Sequence, residues 1–294
     1  MKIRLAENFR AVFYAPFYAT QALGFYDREG VEVELVTSAA PGDAVAGLLD
    51  GTIDLTWGGP MRVMKAHDAD AGSPLVCFGE VVARDPFYLV GRPEVADFRL
   101  ADLGRLRFAS VSEVPTPWMC LQHDLRLAGI DPHEVARVAD RTMADNVAAL
   151  RAGRLDVVQL FEPFVAQAIR AGVARILYAA SARGLCVYTS FIATRARAQA
   201  RQDAFAAMVR AIARMQAWMA ANPAADLAAI VAPFFPGLAP DLLADALARY
   251  GENEVWARSP GVSRAGFARL GESFLSGGAL SRLPSFEACV SASL

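Results

Sequence analysis

Strict alternation of apolar and polar side chains from Val31 to Val36 predicts a half-buried strand. The continuous apolar run at 75–78 predicts a buried one, and 3–5, 87–90, 107–111 and 176–178 read as further strands. The apolar stretch 185–192 is long enough to be a strand that crosses between two halves of the molecule. Helical spacing appears between these runs. Pro16 opens a helix through Ala22 that Gly24 closes, and Thr116 caps one with Pro117 at its first position and Trp118, Leu121 and Leu125 on one face. From about Ala196 the pattern turns helical. Phe205, Val209, Ile212 and Met219 form a stripe, Asn222-Pro223 breaks it, Pro240 to Tyr250 follows with Gly251 as its stop, and Ser263 starts a fourth helix.

One unit organises this order. In 43–64, DAVAGLLDGTIDLTWGGPMRVM, an amphipathic run stops at Gly51, a short strand runs to Trp57, and Gly58-Gly59 turns into Pro60 at a new helix start. The free N–H groups of such a helix point into a crevice at the carboxyl end of the strand, where open α/β sheets bind ligands. The unit recurs. Asp43, Val45, Leu48, Gly51 and Asp54 match Asp145, Val147, Leu150, Gly153 and Asp156, and Pro60 matches Pro163 after a one-residue slip. A period near 100 residues is too long for a solenoid and fits two similar α/β lobes followed by helices.

Composition narrows the classes. At 294 residues the chain can bury a large core as one domain or two lobes. A formal net charge of −2 gives no general reason to bind nucleic acid or an anionic membrane. Mean hydropathy is positive at +0.28, but no apolar run approaches the ~20 residues of a membrane span. Residues 1–5 lead straight into a strand with no apolar signal segment, so the expectation is a cytoplasmic protein or one whose export signal lies outside this sequence. Cys77, Cys120, Cys186 and Cys289 are far apart and form no CxxC pair, so free buried thiols are expected rather than disulfides or zinc. His67, His123 and His133 are scattered outside any hydrolase motif, and neither GxGxxG nor a Walker motif occurs.

The segments 16–26 (PFYATQALGFY), 30–35 (GVEVEL), 48–60, 101–103, 145–153 and 161–164 (FEPF), in this order and spacing, resemble the type II solute-binding proteins of ABC importers. The branch is the one that holds the sulfonate- and taurine-binding and the thiamine-pyrimidine-synthase-like (NMT1/THI5-like) proteins. The resemblance covers nearly the whole chain. It implies a periplasmic-binding-protein type II α/β fold, with lobe 1 from 1–92 plus 187–294 and lobe 2 from 93–186. It also implies a periplasmic location, membrane subunits of an importer as partners, a small-molecule ligand in the cleft, no cofactor and a monomer.

The loops that would face the cleft are 8–14, 38–42, 57–60, 112–118, 161–162 and 188–190. On them, Trp57, Trp118, Phe161 and Tyr188 offer stacking faces, Glu113 and Glu162 acceptors, and Arg10 a partner for an acid group. Tyr14, Ser38, Gly58, Gly59, Thr116 and Ser190 complete the candidate ligand-binding set. Each has a bland alternative: core packing for the aromatics, a helix-start carboxylate for Glu162 and a solvated charge for Arg10. The set suits a flat, partly polar ligand, with a nitrogen heterocycle such as a pyrimidine precursor ahead of an aliphatic sulfonate. An enzyme on the same fold is the alternative. Against it, the lysine of the eukaryotic pyrimidine synthase reads Gly58 here, its histidine reads Arg62, and its Cys-rich run shrinks to Cys186, leaving Lys65 as the one lysine near the repeat. A ligand-sensing regulatory domain is a third class, unsupported by any fused DNA-binding segment.

Overall fold

Two five-stranded sheets, visible in a computed structural model that describes residues 1–37, 43–291 and 294, carry the chain. The strands in chain order are β1 (Lys2–Glu7), β2 (Glu32–Thr37), β3 (Leu55–Gly58), β4 (Leu75–Val82), β5 (Tyr88–Gly91), β6 (Phe108–Ala109), β7 (Arg137–Val138), β8 (Val157–Leu160), β9 (Arg175–Ala179) and β10 (Thr189–Thr194). One sheet runs β2-β1-β3-β10-β4 and the other β7-β6-β8-β5-β9. Each has a parallel trio, β2-β1-β3 or β7-β6-β8, and in each the fourth strand is antiparallel to both neighbours. That fourth strand always arrives from the other sheet. The chain changes sheet at 83–87 and again at 180–188.

The sequence repeat has a physical cause. Gly51 and Gly153 both sit at positive φ (79° and 67°), where a Cβ is disfavoured, and end the helices Ala44–Asp50 and Met143–Arg151. Asp54 then accepts a hydrogen bond from the Arg4 backbone N–H at 2.8 Å, and Asp156 accepts one from the Arg107 N–H at 3.0 Å. The two aspartates do the same work, fixing the third strand of each trio beside the first.

Three boundaries differ from the pattern. The stretch 185–192 enters β10 only at Thr189, because Val187 turns at φ 41° and the N–H groups of Cys186 and Tyr188 donate to Ala83 of the other crossing and to Val82 at the end of β4. The helix expected to stop at Gly251 runs Pro240–Glu252, and the Asn253 side chain then donates to the Arg249 carbonyl. The apolar strand placed before the first crossing, β5, hydrogen-bonds within the second sheet. An apolar run reports burial and not the identity of its neighbours.

The two crossings are also joined by charge. Arg183 is buried and pairs with Asp85 of the other crossing and with Asp124 on helix Thr116–Leu127, whose carboxylate also accepts the Tyr178 hydroxyl at 3.0 Å. The C-terminal helices pack on both halves. Gln202–Ala221 lies against the first sheet, Pro240–Glu252 reaches helix Phe164–Arg170, and Arg264–Ser276 covers Thr116–Leu127. All four cysteines are free and buried.

Candidate functional site

A cavity lies where the carboxyl ends of the two parallel trios meet. The loop after β1 brings Asn8, Phe9, Phe13 and Tyr14 to it. The turn after β3 brings Gly59 and Arg62, the loop after β6 brings Pro115 and Thr116, and the crossings contribute Phe87 and Tyr188. Its volume is about 30 Å³, room for a water molecule or two, whereas sites for organic ligands run to roughly 300 Å³ or more.

The walls are aromatic. Phe13 meets Tyr14 edge-on at 4.3 Å and Phe161 at 5.4 Å, and Phe161 in turn meets Phe87 at 5.2 Å. Asn8 donates to the Tyr14 hydroxyl at 3.4 Å, and the Tyr188 hydroxyl has no hydrogen-bond partner among the described residues. Burial raises the pKa of both tyrosines, so both stay neutral hydroxyls. Arg62 is the one formally charged residue among those lining the cavity. It lies in the first turn of helix Met61–Ala69, and its side chain makes no hydrogen bond or ion pair among the described residues. Burial lowers its pKa and the neighbouring Tyr14 partly offsets this, but a guanidinium remains charged. Gly58 makes room for it, since a Cβ there would stand 3.3 Å from Arg62 Nη1.

Of the residues singled out by sequence, Tyr14, Gly59, Thr116 and Tyr188 come together at this cavity, with Gly58 just behind Arg62. Phe161 stands behind the aromatic wall, and Ser190 is buried in β10 opposite Gly58. Ser38 lies outside the described residues. The others are turned to different work. Arg10 forms a two-pronged pair with buried Glu7 and donates to the Phe234 carbonyl at 2.8 Å, so each of its three nitrogens is engaged within the protein. Burial alone would raise the Glu7 pKa, but the bonds from Arg10 and Tyr18 outweigh it and the net shift is downward. Trp57 is buried and stacks on Phe17 at 4.6 Å, because alternation along β3 sends it into the core. Trp118 packs near Phe108 with the Arg137 guanidinium 4.4 Å above its ring. Glu113 is exposed and accepts the Met143 N–H at 2.8 Å.

Glu162 departs furthest from its expected place. It is fully buried, with one carboxylate oxygen on Arg249 Nε at 2.7 Å and the other on the Ala166 N–H at 2.9 Å. Burial raises its pKa, and Arg249 and that N–H only partly counter the rise. Its backbone N–H donates to the Tyr250 hydroxyl. One oxygen thus docks helix Pro240–Glu252 and the other caps helix Phe164–Arg170, both away from the cavity. Asn8 and Arg62 escaped the sequence reading as site residues. The available signal was an arginine directly after Gly-Gly-Pro-Met in a helical first turn that has no acid.

The fold is that of the periplasmic binding proteins. Residues 12–226 match the family model described as NMT1/THI5 like, and the chain belongs to that family. A Bacillus subtilis (strain 168) protein named "Putative binding protein YtlA" is 25% identical over 261 residues, spanning 88% of this chain and 78% of that one. The periplasmic aliphatic sulphonate binding protein SsuA from Escherichia coli superposes with a TM-score of 0.78 at 17% identity, covering 97% of this chain and 96% of that one. The alkanesulfonate-binding protein SsuA from Xanthomonas axonopodis pv. citri, bound to MOPS, gives a TM-score of 0.73 at 18% identity, covering 99% and 98%.

Proposed function

We propose that this protein is the solute-binding component of an ABC importer and captures a small organic molecule between its two lobes. The observation that carries the reading is the cavity, to which both sheets and both crossings contribute side chains. A site so divided opens and closes as the lobes move, and a ligand that bridges them favours the closed form. The hinge is the pair of segments 83–87 and 180–188, and the lobes take the discontinuous order 1, 2, 1. The protein acts outside the cytoplasmic membrane and hands its ligand to the importer's membrane subunits. Among the described residues no helix is long and apolar enough to cross a membrane.

Capture without turnover fits the side chains present. Lys65, the lysine nearest the repeat, is exposed on helix Met61–Ala69 and does not line the cavity. The pyrimidine-precursor reading keeps its aromatic walls in support but loses both carboxylate acceptors, since Glu113 and Glu162 bind backbone and Arg249 instead. A thermal-shift screen over heterocycles, sulfonates and short carboxylates tests capture, because a ligand at a hundred times its Kd adds about 2.7 kcal/mol to the folded state. Scattering with the best hit should then show a smaller radius of gyration. If no compound raises the melting temperature, the capture reading fails.

A further inference from the structure

On the reading that the cleft captures a solute, we infer that the solute is a small organic monoanion, a carboxylate or sulfonate on a compact apolar body, with its acid group held by Arg62. Three observations converge. Arg62 is the single formal charge among the residues lining the cavity, and no carboxylate among the described residues neutralises it. A half-buried cation in a cavity also lined by Phe9, Phe13, Phe87 and Met61 is costly unless a counter-charge arrives.

The second observation is where that cation sits. Arginine in the first turn of a helix adds positive charge to the positive end of the helix dipole, an arrangement that local energetics disfavours. The third is on the facing wall. Thr116 and Pro115 of the cavity begin helix Thr116–Leu127, so a second helix presents its amino end to the same space. Neither helix start has a side-chain cap or an acid in its first turn. Two uncapped amino ends and one guanidinium thus converge on a low-dielectric cavity whose other polar groups are neutral: Asn8, Tyr14, Thr116 and the unpartnered hydroxyl of buried Tyr188. An anion satisfies the guanidinium, the two helix ends and the Tyr188 hydroxyl at once. A neutral or cationic heterocycle leaves the guanidinium desolvated and unpaired. One acid group balances one arginine, and the aromatic walls suit an apolar remainder.

The test is calorimetric titration of wild type, Arg62→Gln and Arg62→Lys with matched pairs. These are short alkanesulfonates and carboxylates, the corresponding sulfonamides and amides, and neutral aminopyrimidines. Wild type should bind an acid at least about tenfold more tightly than its neutral partner. Arg62→Gln should abolish that preference with an unchanged melting temperature, and Arg62→Lys should keep part of it, because an ammonium retains charge but not the two-pronged geometry. Should Arg62→Gln fold poorly, the wild-type acid-to-amide ratio decides the question alone. Tight binding of neutral heterocycles with no preference for acids would overturn the anion inference and leave solute capture standing. Failure of every compound to bind would overturn both.

Discussion

Glu80→Gln should flatten the protein's pH dependence of stability between pH 5.5 and 8. Glu80 lies one residue beyond Gly79, whose φ of 62° makes the bulge that shifts the register of β4 against β10. It is 2% exposed. Its Oε2 accepts the Ser263 N–H at 2.8 Å, while Oε1 has no partner among the described residues. Burial pushes its pKa from 4.5 up to about 7, and the Ser263 bond only partly counters that. Between those values the folded protein holds a proton that the unfolded chain has released, so stability falls as pH rises. The slope approaches ~1.4 kcal/mol per pH unit and ends once the folded group also ionises. Integrated from pH 5.5 to 8, the loss is about 2 kcal/mol. With a urea slope near 3 kcal/mol/M the wild-type midpoint should drop by roughly 0.7 M. The assay is urea unfolding of both proteins at several pH values. In the variant the Glu80 contribution is gone, so the two curves should diverge with rising pH, the variant gaining relative to wild type. Parallel profiles, or a wild type that gains stability at pH 8, would refute the argument.

Glu162→Gln should lower stability by roughly 1–3 kcal/mol by removing the charge opposite Arg249, while ligand affinity changes less than about threefold; melting curves and titration side by side separate the two. Asp156 is held at about 2, chiefly by its hydrogen bonds from Arg107, so it stabilises the fold above the ordinary aspartate range and loses that contribution as pH falls towards 2. Asp156→Asn should therefore be less stable than wild type at pH 6, with the gap narrowing in acid unfolding below about pH 3.

Features that arise from local backbone requirements were legible in the sequence. Gly51 and Gly153 recur because both helices end at positive φ, and Asp54 and Asp156 recur because both third strands need an acceptor for the first strand's N–H. The alternation of β2 and the stripe of Gln202–Ala221 were readable for the same reason, since periodicity reports which side is buried. What lay hidden was partnership over long separations. Nothing near β5 says that it leaves the first sheet, and nothing near Glu162 names an arginine 87 residues away. Trp57 was misplaced for a related reason: it borders the Gly-Gly turn, but the pleat sends its ring to Phe17.

The two charges at the two turns make the same point from opposite directions. A carboxylate at a helix start is what the dipole favours, so the Glu162-Pro163 pattern carried little information about a ligand, and its oxygens are satisfied by Arg249 and the helix itself. An arginine at a helix start runs against the dipole. Met61-Arg62 therefore needs a reason from outside its own helix, and among the described residues no carboxylate supplies one. A residue that works against local physics says more about a binding site than one that obeys it.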